Sequence, residues 1–184
     1  EQFGYYSLAT VIATGFTAMN APLFQALFPR FTALIAAGQE GAVRPLFRLL
    51  SQCLAVVAIP ATLVISLFAF EIVQAWTGNP TIASNASPLV TVIILGSGLN
   101  SLMTLPYALQ LSHGRTRIAL GLNLVFAICI VPALLFAVDR HGAIGAAWVW
   151  TLTNLAYVLL GVPATHRLIL GEAGGYWFRD VLAI

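Results

Sequence analysis

The sequence predicts an all-α fold, a polytopic bundle of about five transmembrane helices. Three observations predict it: a composition far from that of a water-soluble domain, five long apolar stretches, and arginines gathered in every second connection. Of the 184 residues, 60% are hydrophobic and only 8% charged, against about 25% charged in soluble domains. Mean hydropathy is +0.93. An α-helix rises 1.5 Å per residue, so about 20 apolar residues are needed to cross the hydrocarbon of a bilayer. Five stretches meet that length, at about 5–28, 47–76, 88–111, 118–138 and 144–165, leaving a tail at 166–184. Transmembrane barrel strands would show alternating polarity, which these continuous runs lack.

The first stretch opens at Tyr5 and is expected to close at Phe28, with Pro29, Gly38 and Gly41 marking the break that follows. The second runs from Phe47 to Trp76 and ends at Gly78-Asn79-Pro80. The third covers Pro88 to Leu111 and stops at His113-Gly114. The fourth, Ile118 to Val138, is separated from the fifth by Asp139-Arg140-His141-Gly142. None of these breaks is long enough for a soluble domain. Pro22, Pro60, Pro106, Pro132 and Pro163 fall one per stretch, each removing a backbone hydrogen bond from its helix.

There is no lysine, so arginine alone carries the topology signal. The first connection holds Arg30, Arg44 and Arg48, the third holds Arg115 and Arg117, and the tail holds Arg167 and Arg179. Arg140, beside Asp139, is the one exception. By the positive-inside rule the arginine-bearing side is cytoplasmic, the first span enters from outside, and the tail is cytoplasmic. A chain with a cytoplasmic start then needs an odd number of spans upstream, and the initial Glu1 is consistent with a fragment. The net charge of +2 is explained by topology and calls for no nucleic acid. Cys53 and Cys129 sit within apolar runs, where small buried hydrophobes are expected.

Lipid gives helices no hydrophobic reason to associate, so polar residues inside spans mark faces turned to other helices or to a water-filled cavity. On the first span Thr10, Thr14, Thr17 and Ala21 follow helical spacing, with Asn20 and Gln25 beside them. Ser97, Asn100, Ser101 and Thr104 form the strongest stripe, on the third span, ending at Tyr107 beyond the kink expected at Pro106. On the fifth, Thr151 and Asn154 continue a small-residue line from Ala147, and Gly142, Gly145 and Ala146 permit close helix approach. Glu71 is the sole carboxylate within a span. Lying one and a half turns from the interfacial Trp76, it is read first as snorkelling to water and second as an ion-coupling group. No catalytic constellation is expected, because no nucleophile, base or glycine-rich phosphate loop converges on one point. His113, His141 and His166 border different membrane edges, so no metal site and no cofactor are expected.

Particular words stand out along the chain: Gly4-Tyr5-Tyr6-Ser7-Leu8-Ala9 opening a span, Phe28-Pro29-Arg30 closing it, Gly142-Ala-Ile-Gly-Ala-Ala147 entering the last span, and Pro163-Ala-Thr-His-Arg167 leaving it. In order and spacing they resemble polysaccharide and O-antigen flippases of the multidrug/oligosaccharidyl-lipid/polysaccharide exporter superfamily. The resemblance covers nearly the whole chain and matches the last five helices of a roughly twelve-helix transporter. It implies a multi-pass protein of the bacterial inner membrane that moves an undecaprenyl-pyrophosphate-linked oligosaccharide between leaflets by alternating access. A lipid-linked oligosaccharide substrate, membrane lipids, a polysaccharide polymerase and chain-length machinery are the partners it implies. The residues expected to face such a substrate are Asn20, Gln25, Arg30, Asn100, Ser101, Thr104 and Asn154, chosen by helix face. Two alternatives stay open: an ion-coupled multidrug antiporter, for which Glu71 would serve, and a membrane enzyme acting on lipid-linked sugars, which would need a large outer loop.

Overall fold

The computed structural model describes residues 2–171. These form eight α-helices: α1 (Gln2–Thr17), α2 (Asn20–Ala36), α3 (Glu40–Leu67), α4 (Ala69–Thr77), α5 (Pro80–Leu102), α6 (Thr104–Ser112), α7 (Thr116–His141) and α8 (Ala143–Thr165). A π-helical turn, His166–Leu170, extends α8. Joined end to end, these elements supply five helices long and apolar enough to cross a membrane: Gln2–Ala36, Glu40–Leu67, Pro80–Ser112, Leu120–His141 and Ala143–Leu170. The chain is an all-α bundle with five membrane-crossing segments, and no strand occurs among the described residues.

Several span limits differ from those expected. The first span does not end at Phe28. It breaks at Ala18-Met19 and then runs through Pro29 and Arg30 to Ala36. The expected second span is divided at Phe68, and its last part, α4, is a separate helix lying along α5. The third span starts at Pro80 and not at Pro88, because Asn79 caps it. Asn79 Oδ1 accepts from the Thr81 and Ile82 amides at 2.9 and 3.3 Å, with Pro80 in the first helical position. The expected kink at Pro106 is instead a break at Met103. A proline has no N–H for the carbonyl four residues earlier, so Pro106 cannot donate to Leu102 O nor Pro22 to Ala18 O, which accepts from Ala21 N at 3.3 Å instead. By contrast, Pro60, Pro132 and Pro163 sit inside continuous helices. The expected tail begins with the π-turn, while 172–184, including Arg179, lies outside the described residues.

The third span is the centre of the bundle. Of its most apolar stretch 67% is buried, against none for the fourth. Helix α5 packs on α1, α3, α4 and α8, whereas α7 packs mainly on α8. Apolar side chains gather in two clusters. One holds Ala9, Ala13 and Phe16 of α1, Val73 of α4 and the run from Ala83 to Ile94 of α5. The other holds Leu27 and Phe31 of α2, Phe47 of α3, Leu105 and Leu109 of α6, and Val162 of α8. Cys53 and Cys129 are free thiols on the exposed surface of the bundle and not in its core. In a bundle whose solvent is lipid, an apolar residue has no reason to turn inward.

The three arginine-bearing segments meet at one end. The Arg44 guanidinium donates to Leu170 O and that of Arg115 donates to Leu168 O. The π-turn leaves carbonyls out of register with the helical ladder, and two arginines from two different connections occupy them. Asn79 lies at the other end, a third span of 33 residues away. That span is about 50 Å long at 1.5 Å per residue. Single cysteines placed at Asn79 and Thr116, with Cys53 and Cys129 replaced by alanine, are therefore expected to react with an impermeant maleimide from opposite sides of the membrane. Labelling of both from one side would overturn this arrangement.

Candidate functional site

Between α2, α6, α7 and α8 lies a cavity of about 790 Å³. Its lining runs from Gln110, three residues short of His113 at the arginine-rich end, to Ile130 and Trp150. Those two lie some 14 to 15 residues along their helices from that end, about 20 Å deep. Five of the expected site residues line it: Asn20, Gln25, Asn100, Thr104 and Asn154. Ser101 sits just behind the wall, fully buried. Arg30 and Glu71 do not line it. Arg30 is exposed near the arginine-rich end of α2, and Glu71 is exposed in the first turn of α4, where a carboxylate complements the helix dipole.

Amides fixed by hydroxyls form the wall. Ser101 Oγ donates to Ser97 O at 2.9 Å and accepts from Asn20 Nδ2 at 2.8 Å. Thr165 Oγ1 donates to Gly161 O at 2.7 Å and accepts from Gln110 Nε2 at 2.7 Å. Because each hydroxyl proton is already committed to its own helix, only a lone pair is left for the amide. The amide N–H must therefore face the hydroxyl, which fixes the side-chain orientation. Asn154 donates to Trp150 O at 2.9 Å, and its Oδ1 accepts from Asn100 Nδ2 at 2.8 Å. Tyr157 OH donates to Asn123 Oδ1, and its ring packs on Phe126 with centroids 4.4 Å apart. These bonds tie the first span to the third, the third to the fifth, and the fourth to the fifth.

One acceptor is left over. Gln110 is 2% exposed, and its Oε1 has no hydrogen-bond partner among the described residues. A buried amide oxygen without a donor costs about 1–3 kcal/mol, and a donor brought by a ligand removes that penalty. Among the described residues the lining contains no Arg, His, Asp or Glu side chain. The cavity can therefore offer amide, phenol and hydroxyl hydrogen bonds and aromatic faces, but no charge. It opens sideways as well: Asn100, Gln25 and Asn123 are exposed and Tyr107 is 44% exposed. Polar groups at that depth are disfavoured against lipid tails, so this opening suits water or a polar ligand.

Gln110, Asn123, Thr153 and Tyr157 join the cavity without having been expected there. Tyr157 lies three residues beyond Asn154 on the same helix face, and Gln110 three beyond Tyr107, so spacing held both signals. The presumed kink at Pro106 cut the stripe short. Asn123 is an isolated polar residue in its span and carries no periodic signal. A second, smaller cavity of about 390 Å³ lies at the arginine-rich end, lined by Glu40, Arg44, His113 and Leu170. Among the described residues no group of histidine, cysteine and carboxylate side chains is arranged to hold a metal. Comparison with protein-family models, with curated proteins and with solved structures finds no match for this chain.

Proposed function

We propose that this chain forms part of a bacterial inner-membrane transporter that moves an undecaprenyl-pyrophosphate-linked oligosaccharide across the bilayer by alternating access, with its arginine-rich end and tail in the cytosol. The observation that carries this reading is the uncharged cavity of about 790 Å³ within the membrane-crossing helices, where asparagine, glutamine, threonine and tyrosine stand among apolar side chains such as Phe24, Ile130 and Trp150. Sugar hydroxyls both donate and accept, as amides do, and sugar rings have apolar faces that pack on aromatic side chains such as Tyr107, Phe126 and Tyr157. The diphosphate would lie toward the end where Arg30, Arg44 and Arg115 gather. The order of the sequence words shared with polysaccharide flippases supports the same reading. The antiporter reading needs a carboxylate in the cavity, and Glu71 stands outside it.

The test uses proteoliposomes holding the intact protein and a fluorescent polyprenyl-diphosphate oligosaccharide. Glycosylated lipid is expected to cross at least about tenfold faster than the same polyprenyl diphosphate without sugars, a difference of about 1.4 kcal/mol. Equal rates for the two lipids, or sodium- or proton-driven efflux of a cationic dye with no glycolipid movement, would overturn the reading.

A further inference from the structure

The smaller cavity, of about 390 Å³, lies where three membrane-crossing segments end together. Glu40 begins the second segment, His113 follows the last residue of the third, and Leu170 ends the fifth. The cavity therefore sits at the edge of the apolar zone, level with lipid headgroups and not with acyl chains. Buried Val43 and Leu170 supply its apolar lining.

Its polar groups are unevenly matched. Glu40 and Arg44 stand four residues apart on one face of α3, the spacing at which a carboxylate and a guanidinium pair on a helix surface. Here the Arg44 guanidinium donates to Leu170 O instead, the last carbonyl of the π-turn. Among the described residues the Glu40 carboxylate is left with no hydrogen-bond or ion-pair partner. His113 Nδ1 lies 3.0 Å from Leu109 O and so carries the ring proton, which makes Nε2 an acceptor. Nε2 also has no partner among the described residues. The cavity thus presents two acceptors that lack donors, beside a guanidinium held at its wall.

A simple anion would meet the charge of Glu40, and a simple cation that of Arg44. A zwitterion meets both demands. An ammonium has three N–H donors to share between the Glu40 carboxylate and His113 Nε2, and a phosphate accepts from a guanidinium. Glu40 and Arg44 are about 6 Å apart along the helix axis, a span that a phosphate and an amine joined by two carbons can bridge. Pockets with basic side chains between membrane helices are established headgroup sites. We propose that this cavity binds the phosphoethanolamine headgroup of a membrane phospholipid, its ammonium between Glu40 and His113 and its phosphate at Arg44. Choline, being quaternary, has no N–H to give and leaves both acceptors unsatisfied. The bound lipid joins the ends of three spans, and the site stands whatever the larger cavity carries.

Lipid titrations of the intact, delipidated protein in detergent, read by native mass spectrometry, test the assignment. Phosphatidylethanolamine is expected to bind at least about tenfold more tightly than phosphatidylcholine with the same acyl chains, roughly the effect of one hydrogen bond to a charged group. Glu40→Gln keeps the size of the side chain and removes its charge. It is expected to reduce the ethanolamine preference to about twofold or less, with phosphatidylcholine binding unchanged, which also reports that the variant has folded. His113→Leu is expected to reduce the preference part of the way. Glycerophosphoethanolamine, the same headgroup without acyl chains, is expected not to displace the lipid at equal concentration. Displacement at equal concentration would place the ligand in solution and overturn the lipid assignment. Equal affinity for the two lipids in the parent protein, or a preference that survives Glu40→Gln, would overturn the site.

Discussion

Gly145→Val is expected to unseat the last two spans and lower the thermal midpoint of the detergent-solubilised protein by about 10 °C, corresponding to about 3 kcal/mol at this chain length. A Cβ at position 145 would stand 2.2 Å from Ala137 O and 2.7 Å from Ala137 C, both backbone atoms of the neighbouring helix. A flexible side chain could turn aside, but a helix backbone moves only by separating α7 from α8. That interface is the main attachment of α7, whose most apolar stretch contains no buried residue. Close approach through small residues is the usual source of helix association in lipid, where the hydrophobic effect is absent. Gly121→Val is the matched control, since a Cβ there meets nothing within 4 Å. Size-exclusion profiles after heating would report both variants, and equal survival of the two would show that the Gly145 contact does not hold the hairpin together.

On the proposed transport reading, Asn154→Leu is expected to reduce glycolipid movement about tenfold to a hundredfold while leaving expression and folding intact. The side chain is 2% exposed, and its Oδ1 receives Asn100 Nδ2 at 2.8 Å. Leucine has nearly the same volume but accepts nothing, so the Asn100 amide loses its anchor and the wall loses a polar position. Stability should change little, because hydrogen bonds between membrane helices average only about 0.6 kcal/mol. The separation of transport loss from stability loss is therefore diagnostic. Asn85→Leu supplies the comparison: Asn85 is exposed near the other end of α5 and bonds only Thr81 O among the described residues. Transport in Asn154→Leu equal to that in Asn85→Leu, at matched membrane levels, would remove Asn154 from the site.

The apolar runs and the stripe at Ser97, Asn100, Ser101 and Thr104 were legible in the sequence because lipid imposes a length and helices impose a period. Boundaries were less legible where competing signals shared one position. Pro29 and Arg30 look like a helix end, yet the exposed side of α2 accommodates both. Asn79-Pro80 reads equally as a turn and as a helix cap, and the structure uses it as both. The site divides along the same line. Asn20, Gln25, Asn100, Thr104 and Asn154 could be placed by helix face, whereas Arg30, chosen by the same rule, stands apart from the cavity. Asn123 becomes part of the wall only through the phenol of Tyr157, a contact between two helices that no single-helix periodicity encodes.

A single residue, Gly142, joins α7 to α8, with φ +61° and ψ −143°, a conformation in which side-chain-bearing residues are strained. So short a connection leaves no polar loop to be carried through the bilayer on its own. So tight a hairpin is suited to entering lipid as one folded-back unit, with Asp139 and Arg140, neighbours of opposite sign, at its tip. The Arg140 guanidinium rests over the Phe136 ring, 4.5 Å from its centroid, which lessens its exposure to the apolar phase. The tip of this hairpin thus combines a glycine turn with a shielded cation, two devices that ease the burial of a charged turn.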